Sequence, residues 1–206
     1  MLIRLADYIA DFSQSPLAPW ADLAPWALTT QAPMIVRQML TQLLAAEYII
    51  EDEIAIHRTA TVEPGALLKG PLIIGAECFI ASGSLLRGGC WVDAQCIIGP
   101  GAELKTSFVF SGSKLAHFNF VGDSVLGHGV NLEAGSIVAN YRNERLDKEV
   151  WVRAAGQLQR TGCDKFGALL GDQCRMGANA VLAPGAVLAP ASVVGRGQVF
   201  DAELTA

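Results

Sequence analysis

Across residues 56–110 a large apolar side chain returns at every sixth position: Ile56, Val62, Leu68, Ile74, Ile80, Leu86, Val92, Ile98, Leu104 and Phe110. Four places after each of the first eight stands a small or modest apolar residue, namely Ala60, Ala66, Leu72, Cys78, Ser84, Cys90, Cys96 and Ala102. A helix repeats near 3.6 residues and a half-buried strand near 2, so neither accounts for a period of six. A solenoid does, because stacked units bury a shared core only by stacking. Six residues make one short strand and a corner. Three such sides close a triangle, so about 18 residues bring the chain back to the same face, one strand spacing of roughly 4.8 Å further on. The aliphatic residue points inward and the small one fills the corner. The beat returns at Leu126, Leu132 and Val138, and again at Leu170, Met176, Leu182, Leu188 and Val194.

The interruptions are as informative as the repeat. Phe108 and Lys114 fall where the small residue belongs, and an unpaired ammonium buried there would cost several kcal/mol, on the order of the penalty for any buried charge. The pattern therefore predicts a bulged coil and a loop insertion near 111–120, with the count resuming late at Phe120 and Leu126. A second and longer insertion is expected over 140–166, where Arg142, Arg145, Arg153, Arg160 and Lys165 collect. Insertions into a solenoid are external loops, and such loops tend to carry function. Residues 1–50 lack the beat. Arg4 to Phe12 and Met34 to Glu47 read as helices, the latter with Pro33 at its start and a stripe of Ile35, Val36, Met39, Leu40, Leu43 and Leu44. The expected organisation is a helical cap or extension over 1–50, a β-helix over 51–200 and a tail over 201–206. The cap would cover the first open coil or meet a neighbour, because an uncovered end presents unpaired strand edges.

A net charge of −5 argues against a binder of phosphate backbones, so no nucleic-acid partner is expected. Residues 1–12 do not read as a secretion signal, and the uncharged run over 176–195 is broken by prolines and by glycines in step with the beat, so no membrane span is expected. Five cysteines without metal-ligand spacing fit a reducing compartment, and a cytoplasmic location is the expectation. Four of them occupy inward slots and read as buried small hydrophobes, with Cys78 and Cys96 stacked on adjacent coils.

Two features suggest chemistry. Arg87 and Lys105 are one coil apart, so both side chains leave one edge about 4.8 Å from each other. Such a pair repels unless an anion lies between, and a sugar phosphate is an anion of that kind; a merely solvated pair is the alternative. His117 lies at the break beside Asn119 and Asp123, and an imidazole can accept a proton near neutral pH, although a lone histidine is often structural. His57 and His128 have no such company and read as surface residues. The three histidines lack the spacing of a zinc site, and no metal is expected.

The segment 114–141 carries a resemblance. Ala116-His117-Phe118-Asn119-Phe120-Val121-Gly122-Asp123-Ser124, Asn131-Leu132-Glu133-Ala134-Gly135 and Ala139-Asn140-Tyr141 resemble the acetyltransferase half of the hexapeptide-repeat enzymes that acetylate glucosamine 1-phosphate and uridylylate the product. They resemble still more closely the β-helical segments attached to sugar-1-phosphate nucleotidylyltransferases. The resemblance covers roughly residues 56–141 and the last hexads. It implies an all-β fold, a single-stranded left-handed parallel β-helix, whereas the general rule for parallel crossovers would give the opposite hand. It also implies an acyltransferase that moves an acetyl group from acetyl-CoA to an amino-sugar phosphate or nucleotide sugar, as in UDP-N-acetylglucosamine biosynthesis, within a homotrimer whose coenzyme lies between adjacent β-helices.

Carried over position by position, the resemblance makes His117 the general base. It makes Arg87, Lys105, Phe120, Asn131, Asn140 and Tyr141 substrate contacts, and Ala134 a coenzyme contact. Phe120 replaces a tyrosine of the family, and Glu133 stands where a small residue is usual. The nucleotidylyltransferase half is expected to be absent. The competing reading is a non-catalytic module that binds a sugar phosphate or nucleotide sugar and associates with a nucleotidylyltransferase.

Overall fold

The computed structural model describes residues 3–204. Three sheets of eight, seven and seven strands form the sides of a triangular prism, all their strands parallel except the first, Tyr48–Glu51. The first face stacks Ile54–His57, Leu72–Ile74, Cys90–Val92, Phe108–Val109, Val125–Leu126, Ala168–Leu170 and Ala186–Leu188. The second runs from Thr61–Val62 through Lys114–Leu115 and Asn131–Leu132 to Val193–Val194. The third runs from Leu67–Leu68 through Glu103–Lys105, Phe120–Gly122 and Ile137–Val138 to Val199–Phe200. The fold is a left-handed parallel β-helix of seven turns. Its interior is the six-residue beat itself: Ile74, Ile80, Leu86, Val92, Ile98 and Leu104 are buried in one continuous core, together with Cys78, Cys90, Cys96 and Cys174. Burial pushes the Cys90 and Cys174 thiols up to about 11, as befits cysteines acting as small hydrophobes.

The chain passes through 111–120 without a bulge or an inserted loop, which corrects the expectation drawn from Phe108 and Lys114. Lys114–Leu115 is a regular rung between Ile97–Ile98 and Asn131–Leu132. What changes is turn length. Glu103 lies opposite Leu85, 18 residues back, but Phe120 lies opposite Glu103, only 17 back. One residue is lost at each of two successive corners between the third and first faces, so the inward residues become Val109, Leu115 and Val121. Phe110 and Phe120 leave the beat, and Lys114 is exposed beside buried Leu115.

Serine hydroxyls bridge the shortened corners. Ser107 Oγ donates to Lys105 O at 2.7 Å and accepts the N–H of Ser124 at 3.0 Å. One rung on, Ser124 Oγ donates to Gly122 O at 2.7 Å and accepts the N–H of Ala168 at 3.0 Å. Both serines are fully buried, so these bonds satisfy backbone groups that water cannot reach.

A second core lies outside the prism. On the first face the outward residues Ile73, Trp91, Phe108, Val125 and Leu169 are buried as well as their inward neighbours. They are covered by the described part of the N-terminal segment and by the 141–166 insertion, whose hairpin pairs Trp151–Ala154 with Gln157–Arg160. The N-terminal segment holds 3₁₀ turns at Leu5–Asp7, Phe12–Gln14 and Ala18–Trp20 and two helices, α1 (Pro25–Thr30) and α2 (Ala32–Leu40). Only short turns form over 4–12, where a helix was expected. The helix expected to reach Glu47 stops at Leu40, where Thr41 turns its hydroxyl back to Gln38 O at 2.7 Å. The segment lies along a side of the prism, and the edge of the first turn is covered instead by Tyr48–Glu51, antiparallel to Ile54–His57.

Among the described residues no helix is long and apolar enough to cross a membrane. The insertion is locked to the chain end by Arg142, 5% exposed, which meets both carboxylate oxygens of Asp201 at 2.7 Å and Glu203 at 3.2 Å. Arg142 holds the Asp201 carboxyl below the ordinary carboxylate range.

Candidate active site

His117 lies at the corner between the second and third faces, in a turn that places Phe118 in the left-handed region at φ 52°. Its carbonyl accepts the N–H of Gly135 at 2.9 Å, and Phe118 donates its own N–H to Pro100 O at 3.0 Å, so the corner is fixed from above and below. The His117 side chain is exposed and has no hydrogen-bond or ion-pair partner among the described residues. Phe118, beside it, is 72% exposed and lies over Gly101. Directly above His117 stands Ala134, and further along the same edge come Ala178 and Arg196. Glu133 accepts the N–H of Ala178 at 2.8 Å and the Arg196 Nε–H at 3.0 Å, and these two partners hold its carboxyl below the usual range. Asn131 is exposed on the second face, on the rung between Lys114 and Arg175, and a groove of about 290 Å³ runs past Asn131, Glu133, Arg175 and Arg196.

The second group of expected site residues gathers at the opposite edge of the third face. Lys105 and Arg87 are neighbours across the ladder, as their 18-residue separation requires. Each cation already has an anion. Arg87 meets Glu103 Oε1 at 2.6 Å, and Lys105 Nζ meets Asp123 Oδ2 at 2.7 Å with both side chains largely shielded. The same Asp123 oxygen accepts the side-chain N–H of Asn140. Protein carboxylates thus occupy the place that spacing alone had left to a sugar phosphate.

Gly122 keeps the cluster tight, since a methyl group there would stand 2.7 Å from Asn140 Nδ2 and 2.9 Å from Phe120 Cζ. Tyr141 follows, 38% exposed, with Lys148 Nζ 5.3 Å from its ring centre. Asp123, which joins Lys105 to Asn140, was not singled out as a site residue in the sequence. Its signal was the same interval of 18 from Lys105 that tied Lys105 to Arg87.

These two groups lie at opposite edges of the third face, with Lys105 level with Gly122, five residues on from His117. His117 and Ala134 stand at the corner of the second and third faces, with Asn131 on the adjoining second face; Arg87, Lys105 and Asn140 lie at the other edge of the third.

His57 and His128 are not surface residues. His57 is half-buried with its ring edge-on to Tyr48, centroids 5.0 Å apart. His128 lies under the N-terminal segment, its Nδ1 2.8 Å from Ser111 Oγ and its ring 5.3 Å from that of Phe110.

No family model matches the chain. Among curated proteins, the bifunctional sugar-1-phosphate nucleotidylyltransferase/acetyltransferase of Sulfurisphaera tokodaii is 41% identical over 83 residues, 40% of this chain and 20% of that protein. The bifunctional protein GlmU of Desulfitobacterium hafniense is 28% identical over 182 residues, 84% of this chain and 36% of that protein. The chain thus spans about a fifth to a third of the length of these relatives. Among solved structures, AntD, an N-acyltransferase from Bacillus cereus in complex with dTDP and 3-hydroxybutyryl-CoA, is 13% identical over 80% of this chain and 77% of that chain, with a TM-score of 0.40. The resemblance read from the sequence is thus matched by curated relatives, one of which carries an acetyltransferase in its name.

Proposed function

We propose that this chain is an acyltransferase that moves an acetyl group from acetyl-CoA to the amine of an amino-sugar phosphate or nucleotide sugar, with His117 as general base. The amine nitrogen attacks the thioester carbonyl carbon and gives its proton to His117; the C–S bond breaks, and the departing CoA sulfur takes that proton from the imidazolium. The observation that carries the reading is the exposed, unpartnered imidazole of His117 on an edge fixed by Gly135 and Pro100. A base must be free to approach its substrate, and among the described residues no hydrogen bond or ion pair holds this ring.

Lys105 and His117 lie at opposite edges of the third face, and a homotrimer belongs to the proposal because a three-fold neighbour brings a second edge alongside the first, with the coenzyme lying between two prisms. Sugar phosphate binding at Arg87 and Lys105 would have to compete with Glu103 and Asp123, so a nucleotide sugar, which spreads its charge along a longer molecule, suits the cluster better than a compact monophosphate.

The Glu133–Arg196 pair favours a second reading. It stands on the His117 edge where a coenzyme would pass, as expected of a module that binds a sugar phosphate or nucleotide sugar without catalysis. One assay separates the two. Thiol release from acetyl-CoA is expected with glucosamine 1-phosphate or its nucleotide-sugar counterpart and not with the matching glucose compounds, which lack the amine. Absence of amine-dependent release across a panel of amino sugars would leave only the binding role.

A further inference from the structure

The edge between the first and second faces, away from His117, holds a cavity of about 350 Å³ that the acyl-transfer reading does not use. Its floor is the outward side of the first face, Ile73 and Trp91, and its roof is Met39 at the end of α2 with Leu43 beyond it. Ile73, Trp91 and Met39 are all buried, so this part of the lining is apolar. This volume lies within the range of small-molecule sites, which pair an apolar lining with a few placed polar groups.

Both carboxylate-bearing side chains of the lining, Glu47 and Asp93, are unopposed by a lysine or arginine among the described residues. Asp93 enters from the corner after Cys90–Val92 and Glu47 stands at the mouth, with Tyr48 between them, and no lysine or arginine lines the cavity among the described residues. Asp93 has no ion pair with a lysine or arginine among the described residues. Burial pushes its carboxyl above the ordinary range, against the pull of the Ala94 and Ser111 backbone and of His128. Burial and the nearby Glu47 and Asp93 charges likewise push the Tyr48 phenol up. A half-buried carboxylate with no lysine or arginine partner among the described residues, at the end of an apolar cleft and with only the His128 ring near it, is complementary to an ammonium or guanidinium group on an apolar body.

His57 also lines the cavity, its Nδ1 2.9 Å from Thr59 Oγ1.

We propose that this cavity is a binding site for a small organic cation, an amine or guanidine carried on an apolar or aromatic body, with Asp93 receiving the charged group and Ile73, Trp91, Met39 and Leu43 enclosing the body. The site is separate from the His117 edge and does not depend on acyl transfer.

The test is calorimetric titration of the full chain at pH 7 with benzylamine and, as its uncharged counterpart, benzyl alcohol. Saturable binding of benzylamine is expected, at least tenfold tighter than that of the alcohol, with at least a tenfold loss of affinity in Asp93→Asn. Ala94→Phe, which fills the cleft and keeps the carboxylate, is expected to abolish binding of both probes. It stands in for Asp93→Asn should that variant fail to fold. No binding of benzylamine, equal binding of the alcohol, or binding indifferent to the substitutions would overturn the proposal.

Discussion

Alanine in place of His117 is expected to slow amine-dependent thiol release by about 10²- to 10⁴-fold, the range that a positioned general base contributes, or roughly 3–5 kcal/mol of transition-state stabilisation. The loss should fall on kcat, because the base acts in the chemical step and other residues hold the sugar. Stability should hardly move. The side chain is exposed and makes no hydrogen bond among the described residues, and surface substitutions of that kind shift stability by about 0.5 kcal/mol or less. An alanine variant as active as the wild type would remove His117 from the mechanism and the mechanism from the proposal.

The largest loss of stability is expected from Gly99→Ala. Gly99 donates its N–H to Leu115 O at 2.8 Å, and a methyl group on its Cα would stand 1.7 Å from Ala116 O and 2.6 Å from Ala116 C. Those are backbone atoms, so no rotamer change relieves the overlap, and the third and fourth turns must separate. Overpacking of this kind costs about 3 kcal/mol or more, a fall in melting temperature of roughly 6–12 °C for a chain of this size. Thermal unfolding followed by circular dichroism reads it. Because Ala116 adjoins His117, the same variant should also lose activity below its melting temperature; a variant as stable as the wild type would show that the two turns are not in contact here.

The repeat was legible because a triangular solenoid forces one inward residue per side, and a side is six residues long wherever its corner is complete. From Ile74 to Leu104, and again from Leu170 to Val194, counting by six finds the core. It fails between Leu104 and Val109 and between Val121 and Leu126, where a corner gives up one residue and Ser107 or Ser124 takes over the backbone bonds. Counting residues cannot see such a substitution, and so Lys114 looked misplaced and a bulge seemed necessary. The runs Val109, Leu115, Val121 and Leu126, Leu132, Val138 each keep the interval of six, which in hindsight marks two shortened corners and no bulge.

The second core left a plainer mark. Leu72-Ile73-Ile74, Cys90-Trp91-Val92, Phe108-Val109-Phe110 and Ala168-Leu169-Leu170 are unbroken apolar triplets on one face, and strands buried on both sides read as continuous apolar runs. On the third face Glu103-Leu104-Lys105 alternates instead. Which segment covers the triplets is a matter of tertiary packing that periodicity does not address.

For the site, spacing placed Arg87 beside Lys105 correctly, since the ladder fixes backbone register. It said nothing about Glu103 and Asp123, because the rotamers that bring carboxylates onto those cations are chosen by side-chain electrostatics. His117 was found by its neighbours in sequence. Its distance from Lys105 follows from register, with Lys105 level with Gly122 and five residues beyond the histidine.

The central claim is that His117 on one prism serves an amine delivered by a sugar whose phosphates are held at the far edge of a third face. A crystal structure of the protein with CoA and an amino-sugar nucleotide addresses it directly. The account predicts the sugar's amine within about 3.2 Å of a His117 ring nitrogen, with the ligand lying between two subunits. A bound sugar whose amine points away from every His117 in the assembly would contradict it.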